Sequence, residues 1–471
     1  MSVLLVFPKS NMNTVEFGFY NATHPPLSIC YLSAYLKKSD IVTSSIDLNY
    51  SEEKDLMEIV ETKCIQLVCF SITTFTFDIA YNLAREIKQV KPHIKIVFGG
   101  MPLKLFKEKL VEGIVDVMVM GDGEETLLRL VKHYLYENGR LNEISNIIYY
   151  RGGQLVETPS GVYLENLDDL PFPDRECLDL TQYATVSGIR QCYIVTSRGC
   201  PFNCLFCLSG SMGNKVRLRS VENIIDEIKA VKKAYPFYNK FHFVDETLNI
   251  SSTRFQNLCK ALERENIKWS CMLRADDNLN DDILVLMKCS GLELFEIGIE
   301  SGSQLVLDAI KKGTKVETIE RVLKKSAELE IPVIGTVMVP HFCDTGETIS
   351  ETINFIKKMS ESYSLIPFPI RTNIHPKSPY SKYSFEYRIC VNQNDEVIST
   401  KYLSSEEISS ALDTLKQLQV RGIIQNISHF SIVNELLTDT LPGQDISALI
   451  KNSPVVQNMV ENAIKSKLNI R

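Results

Sequence analysis

Long hydrophobic runs are absent from this sequence of 471 residues. No stretch of roughly eighteen or more residues is apolar, so we expect no membrane span. A surplus of positive charge is absent as well, because 51 basic and 58 acidic residues give a net charge of −7. This balance argues against a broad surface for nucleic acid, although not against a local basic patch. Residues 1–7 lack the basic start of a signal peptide and fit a core strand, so we expect a cytoplasmic protein.

A disulfide framework is not indicated either. The 13 cysteines are odd in number and scattered, except for three within residues 200–207. The remaining composition, with 44% hydrophobic and 23% charged residues, is typical of a globular protein. A chain of this length has room for two to four domains, each with its own core.

One short loop carries three cysteines, Cys200, Cys204 and Cys207, directly after the strand-like residues 193–197. Thiols at this CxxxCxxC spacing can bind three corners of an iron–sulfur cube. A fourth cysteine is missing from the loop, so one iron would stay open to a small molecule, and an open metal position is typical of catalysis. The alternatives are a structural zinc or a buried thiol cluster. Zinc ligands usually come as spaced pairs that total four, which this loop does not supply.

This loop resembles that of the radical SAM enzymes, whose three cysteines hold a [4Fe–4S] cluster while S-adenosylmethionine (SAM) binds the fourth iron. The resemblance implies that Cys200, Cys204 and Cys207 are the cluster ligands and that Phe206 lies near the adenine of SAM. In that family an electron from the reduced cluster cleaves SAM into methionine and a 5′-deoxyadenosyl radical. The cofactor supplies this chemistry, while the protein positions it and excludes water. The resemblance also implies an external one-electron reductant of the flavodoxin or ferredoxin type.

Residues 1–138 alternate short apolar strands with helical patterns, which predicts a doubly wound parallel α/β sheet. The predicted strands are 3–7, 42–48, 67–71, 95–98 and 115–120, and the predicted helices are 27–38, 77–90, 103–113 and 124–138. Such sheets bind ligands at the carboxyl ends of their strands. Glycines and small or acidic polar residues follow three of these ends and are candidate ligand contacts: Ser71, Thr73, Gly99, Gly100, Gly121, Gly123 and Glu124. Each of them alone could equally belong to a plain turn or a helix cap.

Together these loops resemble the cobalamin-binding, Rossmann-like domain that precedes the radical SAM barrel in one large subgroup. Residues 25–36 are similar to the subgroup's Pro-Pro-Leu-Gly entry to its first helix, and residues 167–173 are similar to its linker motif. The Asp-x-His-x-x-Gly box of other B12 proteins is absent after the first strand. The resemblance therefore implies a base-off cobalamin without a protein histidine on the cobalt. The alternative is a doubly wound domain that has lost its ligand.

Six further strand patterns separated by helices suit the partial (β/α)6 TIM-type barrel of the radical SAM enzymes, here in residues 186–380. The predicted strands are 193–197, 241–245, 269–274, 294–300, 333–339 and 366–374. Barrel chemistry takes place at the carboxyl ends of the strands.

The resemblance distributes the SAM contacts over these strand ends. Asp245 and Glu246 follow the second strand, where the family binds the amino group, and a carboxylate gives an ammonium a charge-assisted hydrogen bond. Arg274 could pair with the SAM carboxylate, and Glu300 or Ser301 would meet the ribose hydroxyls. Each could instead be a helix cap or a solvated end.

The loop after the fifth barrel strand, residues 340–348, departs from the subgroup's usual Gly-x-Pro-Gly-Glu-Thr. It lies where substrate should approach, so His341 and Cys343 are candidates to touch substrate, to act as general acid or base, or to quench a radical. The alternative for His341 is a solvated loop side chain. We expect residues 139–185 to form a linker and residues 381–471 to form a mostly helical cap or substrate region.

These patterns together predict a cobalamin-dependent radical SAM enzyme. The resemblance implies a methyltransferase, in which one SAM methylates cobalamin and a second SAM generates the radical that activates the substrate. An unactivated carbon, or a phosphorus, of a small molecule or natural-product intermediate would take the methyl group from methylcobalamin. Non-methylating radical chemistry, such as ring rearrangement, cyclisation or oxidation, is an alternative, and so is a radical SAM enzyme that binds no cobalamin. A non-catalytic iron–sulfur sensor would be expected to have degraded SAM motifs, and the motifs at Asp245 and at residues 297–302 are intact.

Overall fold

The computed structural model describes residues 2–9, 25–100, 103–161, 164–187, 191–208, 215–238, 240–374, 378–426, 461, 462 and 465, with only the backbone of residues 104, 105 and 184–187. The chain divides into two compact units, Met1–Ser187 and Gly188–Arg471, called the first and second unit below. None of the described helices is long and apolar enough to cross a membrane.

The first unit is built on a seven-stranded sheet. Its strands are β1 (Ser2–Phe7), β2 (Thr43–Asp47), β3 (Ile65–Ser71), β4 (Lys95–Gly99), β5 (Val117–Val119), β6 (Ile147–Arg151) and β7 (Gln154–Glu157). They lie in the order β2-β1-β3-β4-β5-β6-β7, and β1 to β5 are parallel. The strand order reverses between β1 and β3, and an open α/β sheet binds its ligand at such a switch point.

Helices cover both faces of this sheet, so its central strands are apolar on both sides. In β1, Leu4 and Val6 pack into one core, while Val3 and Leu5 pack into the core on the opposite face. The helices are α1 (Leu27–Lys37), α2 (Glu53–Thr62), α3 (Phe77–Val90), α4 (Leu103–Phe106), α5 (Glu124–Tyr136) and α6 (Leu180–Ser187). The predicted doubly wound sheet is thereby confirmed.

Elements in several parts of this unit differ from the sequence predictions. The range assigned to a linker contains β6 and β7, which extend the sheet by antiparallel pairing with β5 and with each other. The helix α2 follows a capping box between Glu52 and Asp55 that the sequence analysis missed. The predicted helix 103–113 ends early, at Phe106, and continues only as the 3-10 turn Lys107–Lys109.

The second unit is built on a six-stranded parallel sheet. Its strands are β8 (Gln191–Ile194), β11 (Lys240–Phe243), β12 (Lys268–Leu273), β13 (Leu292–Glu300), β14 (Val333–Val339) and β15 (Leu365–Arg371), and the short pair β9 (Ser197–Arg198) and β10 (Arg217–Leu218) lies between β8 and β11 in the chain. Each sheet strand pairs with the next one along the chain. Such an order without reversal is that of a barrel sheet rather than a doubly wound one, which confirms the predicted partial barrel.

The helices of the second unit connect these strands. They are α7 (Val221–Ala234), α8 (Ser252–Glu265), α9 (Asp281–Cys289), α10 (Gln304–Ala309), α11 (Val316–Glu328), α12 (Gly346–Ser362) and α13 (Ser405–Gln425). A hairpin of β16 (Cys390–Val391) and β17 (Val397–Ser399) precedes α13, which begins at the capping box of Ser404 and Glu407 and packs on β15. Residues 427–460 lie outside the described residues, so the mostly helical character expected of 381–471 stays a prediction there.

Gly100 stands at the end of β4, where the main chain comes close to β3. The amide of Ile72 donates to the carbonyl of Gly99 at 2.7 Å, which ties the two strand ends together. Gly100 has φ of +137°, and a Cβ added there would collide with the carbonyl oxygen of Ile72. No L-residue fits both the dihedral angle and the space.

We expect Gly100→Ala to destabilise the carboxyl ends of β3 and β4 by about 3 kcal/mol, from backbone strain together with overpacking. Amide hydrogen exchange of peptides covering these strands should then be roughly a hundredfold faster than in the unsubstituted protein. Gly113→Ala is the matched control, because Gly113 also has positive φ, at +89°, but open space around its Cα. Equal exchange in the two variants would contradict the close approach at Gly100.

Candidate functional site

The three cysteines of residues 200–207, called the cysteine loop below, lie beyond the carboxyl end of β8 and between β9 and β10. Cys204 is buried, while Cys200 and Cys207 are partly exposed. The amide of Cys207 donates to the carbonyl of Cys204 at 3.2 Å, which closes a turn. Burial raises the pKa of the Cys200 thiol, and Cys207, Glu246 and Cys204 raise it further because they lie close by.

The donor set of this loop fits an iron–sulfur cluster better than a single ion. Among the described residues, no group of three or more histidine, cysteine or acidic side chains is placed to hold one metal ion. The thiolates of a cluster bind different irons, so they stand further apart than the ligands of one zinc. The loop supplies three thiols, one fewer than the four ligands of a structural zinc site.

Thr196 anchors the start of the cysteine loop through Asp245, a carboxylate that is 2% exposed. One Asp245 oxygen accepts from the amides of Thr196, at 2.7 Å, and Ser197, at 2.9 Å, and the other accepts from the Thr196 hydroxyl. Burial raises the pKa of Asp245 to about 6, and these hydrogen bonds oppose that effect. Both oxygens are therefore engaged with the chain itself.

Two arginines hold the carbonyl of the same residue. The amide of Arg219 donates to Thr196 O at 2.9 Å, and Arg254 Nη2 donates to it at 2.9 Å. The Arg219 side chain is buried against Glu227, with Nη1 2.5 Å from the carboxylate, and also donates to the carbonyl of Val195. The strand end before the cysteine loop is thus fixed from both sides.

A second support comes from the turn after α10. The amide of Leu205, in the cysteine loop, donates to the carbonyl of Ile310 at 3.0 Å. Two residues on, Lys312 is buried with Nζ 2.8 Å from Glu300 Oε1 and 5.6 Å from the centre of the Phe206 ring. The sequence analysis missed Lys312, although a lysine pair before Gly313 was a signal that could have drawn attention to this turn.

Glu300 reaches Lys312 because β13 is irregular at its end. The register with β14 shifts between Gly298 and Glu300, and Glu300 has φ of +65°. A Cβ on Gly298 would collide with the Glu300 carboxylate and the Lys312 ammonium, so a side chain there would displace this ion pair. Glu300 is 5% exposed and already paired.

Ser301, the neighbouring candidate for the ribose, faces a different element. Its hydroxyl lies 2.9 Å from the hydroxyl of Thr352 in α12 and accepts from the amide of Ser303 at 3.1 Å. The side chain is 1% exposed. These contacts describe a helix–strand junction, because the bulge at Glu300 turns the next residue towards α12.

Glu246 and Arg274 complete the set of predicted SAM contacts. Glu246 is exposed and close to Cys200. Arg274 is buried at the end of β12, with Nη1 3.8 Å from Cys204 Sγ and its guanidinium 3.9 Å above the ring of Phe202. The structure thus brings both residues to the cysteine loop, and their predicted roles towards SAM stay predictions.

His341 is fully buried rather than solvated. Its Nδ1 lies 2.5 Å from the hydroxyl of Tyr380, and its ring lies 5.9 Å from that of Phe206. Burial lowers the pKa of His341 to about 3, with Lys312 adding to the effect and the main chain of Glu300 opposing it. The imidazole is therefore neutral near pH 7 and forms part of the apolar wall behind Phe206.

Cys343 is the more accessible candidate of the altered loop, since it is partly exposed. Burial of its sulfur and the nearby Asp344 raise its pKa to about 12, so it is a thiol rather than a thiolate. Asp344 itself accepts from the amide of His341 and the hydroxyl of Thr348, each at 2.7 Å. The loop is thereby pinned to the start of α12.

The candidate residues of the first unit lie along one edge of its sheet. Ser71 ends β3, where its hydroxyl lies 2.7 Å from that of Ser28, and the Thr73 hydroxyl lies 3.2 Å from that of Thr76. Gly99 and Gly100 end β4, Gly121 follows β5, Gly123 is the N-cap of α5, and Glu124 is buried in its first turn. This carboxyl edge also holds Asp47, whose buried carboxylate accepts a hydrogen bond from the Tyr183 hydroxyl at 2.6 Å.

The two described histidines of the first unit lie away from this edge. His93 is exposed just before the amino end of β4. His133 is in the last turn of α5, where its Nδ1 lies 2.9 Å from the carbonyl of Gly139. Helices of a doubly wound sheet run opposite to its parallel strands, so the end of α5 is at the amino edge.

Each unit contains a span that matches the model of a known domain family. Residues 194–356 match the radical SAM superfamily, and residues 19–131 match the B12 binding domain. An uncharacterised methyltransferase of Pyrococcus horikoshii is 27% identical over 428 residues, which are 88% of this chain and 91% of that protein. The anaerobic magnesium-protoporphyrin IX monomethyl ester cyclase of Rubrivivax gelatinosus is 28% identical over 75% of this chain and 65% of its own.

A solved structure shares the fold. The radical S-adenosylmethionine methyltransferase TsrM from Kitasatospora setae, with cobalamin and a [4Fe–4S] cluster bound, superposes with a TM-score of 0.69 at 15% identity, over 88% of each chain. The cofactors that the two matched domains bind are a [4Fe–4S] cluster, SAM and cobalamin. The residues of the cysteine loop fit the first of these, as the donor set above indicates.

We expect Cys204→Ala to lose the cluster, because the sequence predicts only three thiolate ligands in the cysteine loop and Cys204 is the buried one. Iron per chain after anaerobic reconstitution should fall to background, and SAM cleavage should fall at least a hundredfold. Cys289→Ala is the control, since Cys289 is an exposed thiol in α9. Retained SAM cleavage by Cys204→Ala would refute the ligand assignment.

His341 should make the second unit sensitive to acid. The unfolded chain protonates this histidine near pH 6.5 and the folded chain only near pH 3, so acidification through this window favours unfolding. The contribution is on the order of 3 kcal/mol between pH 7 and pH 4. Urea unfolding followed through Trp269, the one tryptophan, reports on this unit. The stability advantage over His341→Gln should shrink as the pH falls, and a constant difference would show that His341 does not titrate this way.

Proposed function

We propose, from the premise that this chain is a cobalamin-binding radical SAM enzyme, that it is a methyltransferase acting on an unactivated carbon, or a phosphorus, of a small molecule or natural-product intermediate. The observation that carries the proposal is the presence of both cofactor-binding domains in a span that a methyltransferase-named relative shares over 88% of the chain. A radical SAM domain alone would account for hydrogen abstraction, and a B12-binding domain beside it adds a carrier for a methyl group.

When bound, the cluster supplies the electron that cleaves SAM, and cobalamin carries the methyl group. The chain itself supplies rigidity. Asp245 and Arg219 fix Thr196, and Ile310 fixes Leu205, so the cysteine loop is held at its start and in its middle. Rigid positioning of reacting groups contributes to catalysis because less freedom has to be lost when the substrate binds.

We assign the cluster to Cys200, Cys204 and Cys207, and the SAM amino group to Glu246 rather than to Asp245. Glu246 is exposed beside Cys200, whereas both oxygens of Asp245 are occupied by Thr196 and Ser197. A free carboxylate next to the cluster ligands is the group that can pair with an ammonium.

We assign the contact with substrate to Cys343 rather than to His341. A neutral, fully buried imidazole has no access to a proton of the substrate, and its pKa of about 3 makes it a poor base near pH 7. The Cys343 thiol is partly exposed and carries a hydrogen atom, so it can reach a substrate or donate to a radical.

Cobalamin would lie at the carboxyl edge of the first sheet, near Ser71, Thr73 and Gly100. That edge contains the switch point between β1 and β3, and the two described histidines of this unit are at the opposite edge. This arrangement supports a base-off cobalamin without a histidine ligand. An external flavodoxin or ferredoxin as electron donor, and a cytoplasmic location, belong to the same proposal.

Ring formation is the second candidate, because a relative named as a cyclase is 28% identical over 75% of the chain. Methylation and ring formation share the radical step and differ in whether a methyl group leaves SAM for the substrate. The fate of that methyl group therefore separates the two.

The test is anaerobic reconstitution with iron, sulfide and hydroxocobalamin, followed by desalting, corrin counting and EPR. We expect close to one corrin per chain and a base-off cob(II)alamin signal without nitrogen splitting. With SAM deuterated in its methyl group, a candidate substrate should gain the label while 5′-deoxyadenosine and S-adenosylhomocysteine form in equal amounts. Corrin retention and 5′-deoxyadenosine without label transfer would favour the cyclase-like alternative, and no retained corrin would overturn the methyltransferase.

A further inference from the structure

Arg274 is a buried cation whose surroundings belong to the cysteine loop. The residue is 7% exposed. Its Nη1 is 3.8 Å from Cys204 Sγ, and its guanidinium stacks 3.9 Å above the Phe202 ring. Gly313 lies in the turn that also holds Lys312, and a Cβ added to it would lie 3.2 Å from Arg274 Nη2. The guanidinium is thus enclosed between the loop and this turn.

The position of this side chain is fixed by its main chain. Asn249 accepts from the amide of Arg274 at 3.0 Å and donates to its carbonyl at 2.9 Å. These paired hydrogen bonds hold the main chain at the end of β12, and the contacts with Cys204 and Phe202 hold the guanidinium.

Arg274 has no ion-pair partner within the described part of the chain. Its Nε donates to no acceptor. Asp276 is the nearby carboxylate, and burial raises its pKa more than Arg274 lowers it. One Asp276 oxygen accepts from the side chain of Asn249 and from the amide of Asn278 rather than from the guanidinium.

A buried guanidinium without a counter-charge is costly, since arginine does not lose its proton in proteins. Lys312 contrasts with it, because Glu300 neutralises that ammonium at 2.8 Å. Of these two buried cations, Arg274 is therefore the one whose charge is available to another anion. The protein fold leaves it facing the sulfur of a cluster ligand.

We propose that Arg274 is the counter-ion of the iron–sulfur cluster and raises its reduction potential. Three thiolates and the bridging sulfides make the cluster an anion, and one-electron reduction by a low-potential carrier adds another negative charge. A fixed positive charge next to Cys204 stabilises the reduced form more than the oxidised form. The role differs from the contact with the SAM carboxylate that the sequence resemblance implies, and it holds whether or not the enzyme transfers a methyl group.

The experiment compares reconstituted holoenzymes with Arg274→Gln, Arg274→Lys and Arg321→Gln. The glutamine removes the charge and keeps a polar side chain of similar reach. Arg321 is the matched control, because it pairs with Asp281 on the exposed face of α11 and lies in the same unit. EPR-monitored redox titration is carried out without SAM, and SAM affinity is measured separately by equilibrium dialysis.

For Arg274→Gln we expect the equilibrium constant for reduction to fall at least tenfold, which is about 59 mV for one electron. Arg274→Lys should lower the midpoint potential by less than half as much as Arg274→Gln does. Arg321→Gln should have the midpoint potential of the unsubstituted enzyme. If Arg274→Gln binds less iron, its midpoint potential still decides the question, because the titration follows only the clusters that are bound and their number changes the signal size rather than the midpoint.

An unchanged potential in Arg274→Gln with SAM affinity weakened a hundredfold would overturn the proposal and make Arg274 a carboxylate ligand. Unchanged values of both would make it a packing residue. The fate of the labelled methyl group tests a different claim, so a failure of methyl transfer would leave the potential shift, and this inference, intact.

Discussion

The hydrogen bonds between Asp245 and Thr196 are the interaction on which the rest of the second unit's site depends. The cysteine loop has almost no regular secondary structure of its own, so its geometry has to be imposed by its neighbours. A buried carboxylate that accepts two amides and a hydroxyl fixes the point where the loop leaves β8. Arg219 and Arg254 hold the opposite side of the same peptide. Unpaired, each of these groups would be costly in the interior, which is why the set is rigid.

The two buried cations near the cysteine loop, Lys312 and Arg274, have different surroundings. Lys312 and Glu300 form an ion pair. The Phe206 ring packs near Lys312, His341 and Tyr380. Arg274 has no ion-pair partner among the described residues, and its Nη1 faces Cys204 of the cysteine loop. Electrostatic interactions are stronger in an interior of low dielectric constant than in water. There the pair of Lys312 and Glu300 favours one geometry, and the charge of Arg274 acts on neighbouring groups over a longer distance.

The sequence predicted the two sheets well because their strands are continuous apolar runs, and the bounds of β14 agree to the residue. It missed β6 and β7, whose residues are less regular and pair at an edge, and it missed α2, whose signal is a capping box rather than a long apolar face. In the site, spacing identified the cysteine loop, and the resemblance to the radical SAM enzymes pointed to Arg274 at a strand end. The partners of Asp245, Ser301 and His341 could not be predicted, because burial and hydrogen bonding depend on elements far apart in the chain. The ion pair of Lys312 could not be predicted either, because its partner Glu300 is 12 residues away in the chain and reaches it only through the irregular end of β13.

The bulge at Glu300 separates the effects of substitutions at adjacent positions. One irregular step in β13 gives adjacent positions separate neighbourhoods, with Glu300 against Lys312 and Ser301 against Thr352 of α12. In a regular strand, adjacent residues point to opposite faces of the sheet but share one register with the neighbouring strand. Here the extra residue uncouples them. A substitution of Glu300 would therefore act on the pair with Lys312 and leave the contact between Ser301 and α12 in place.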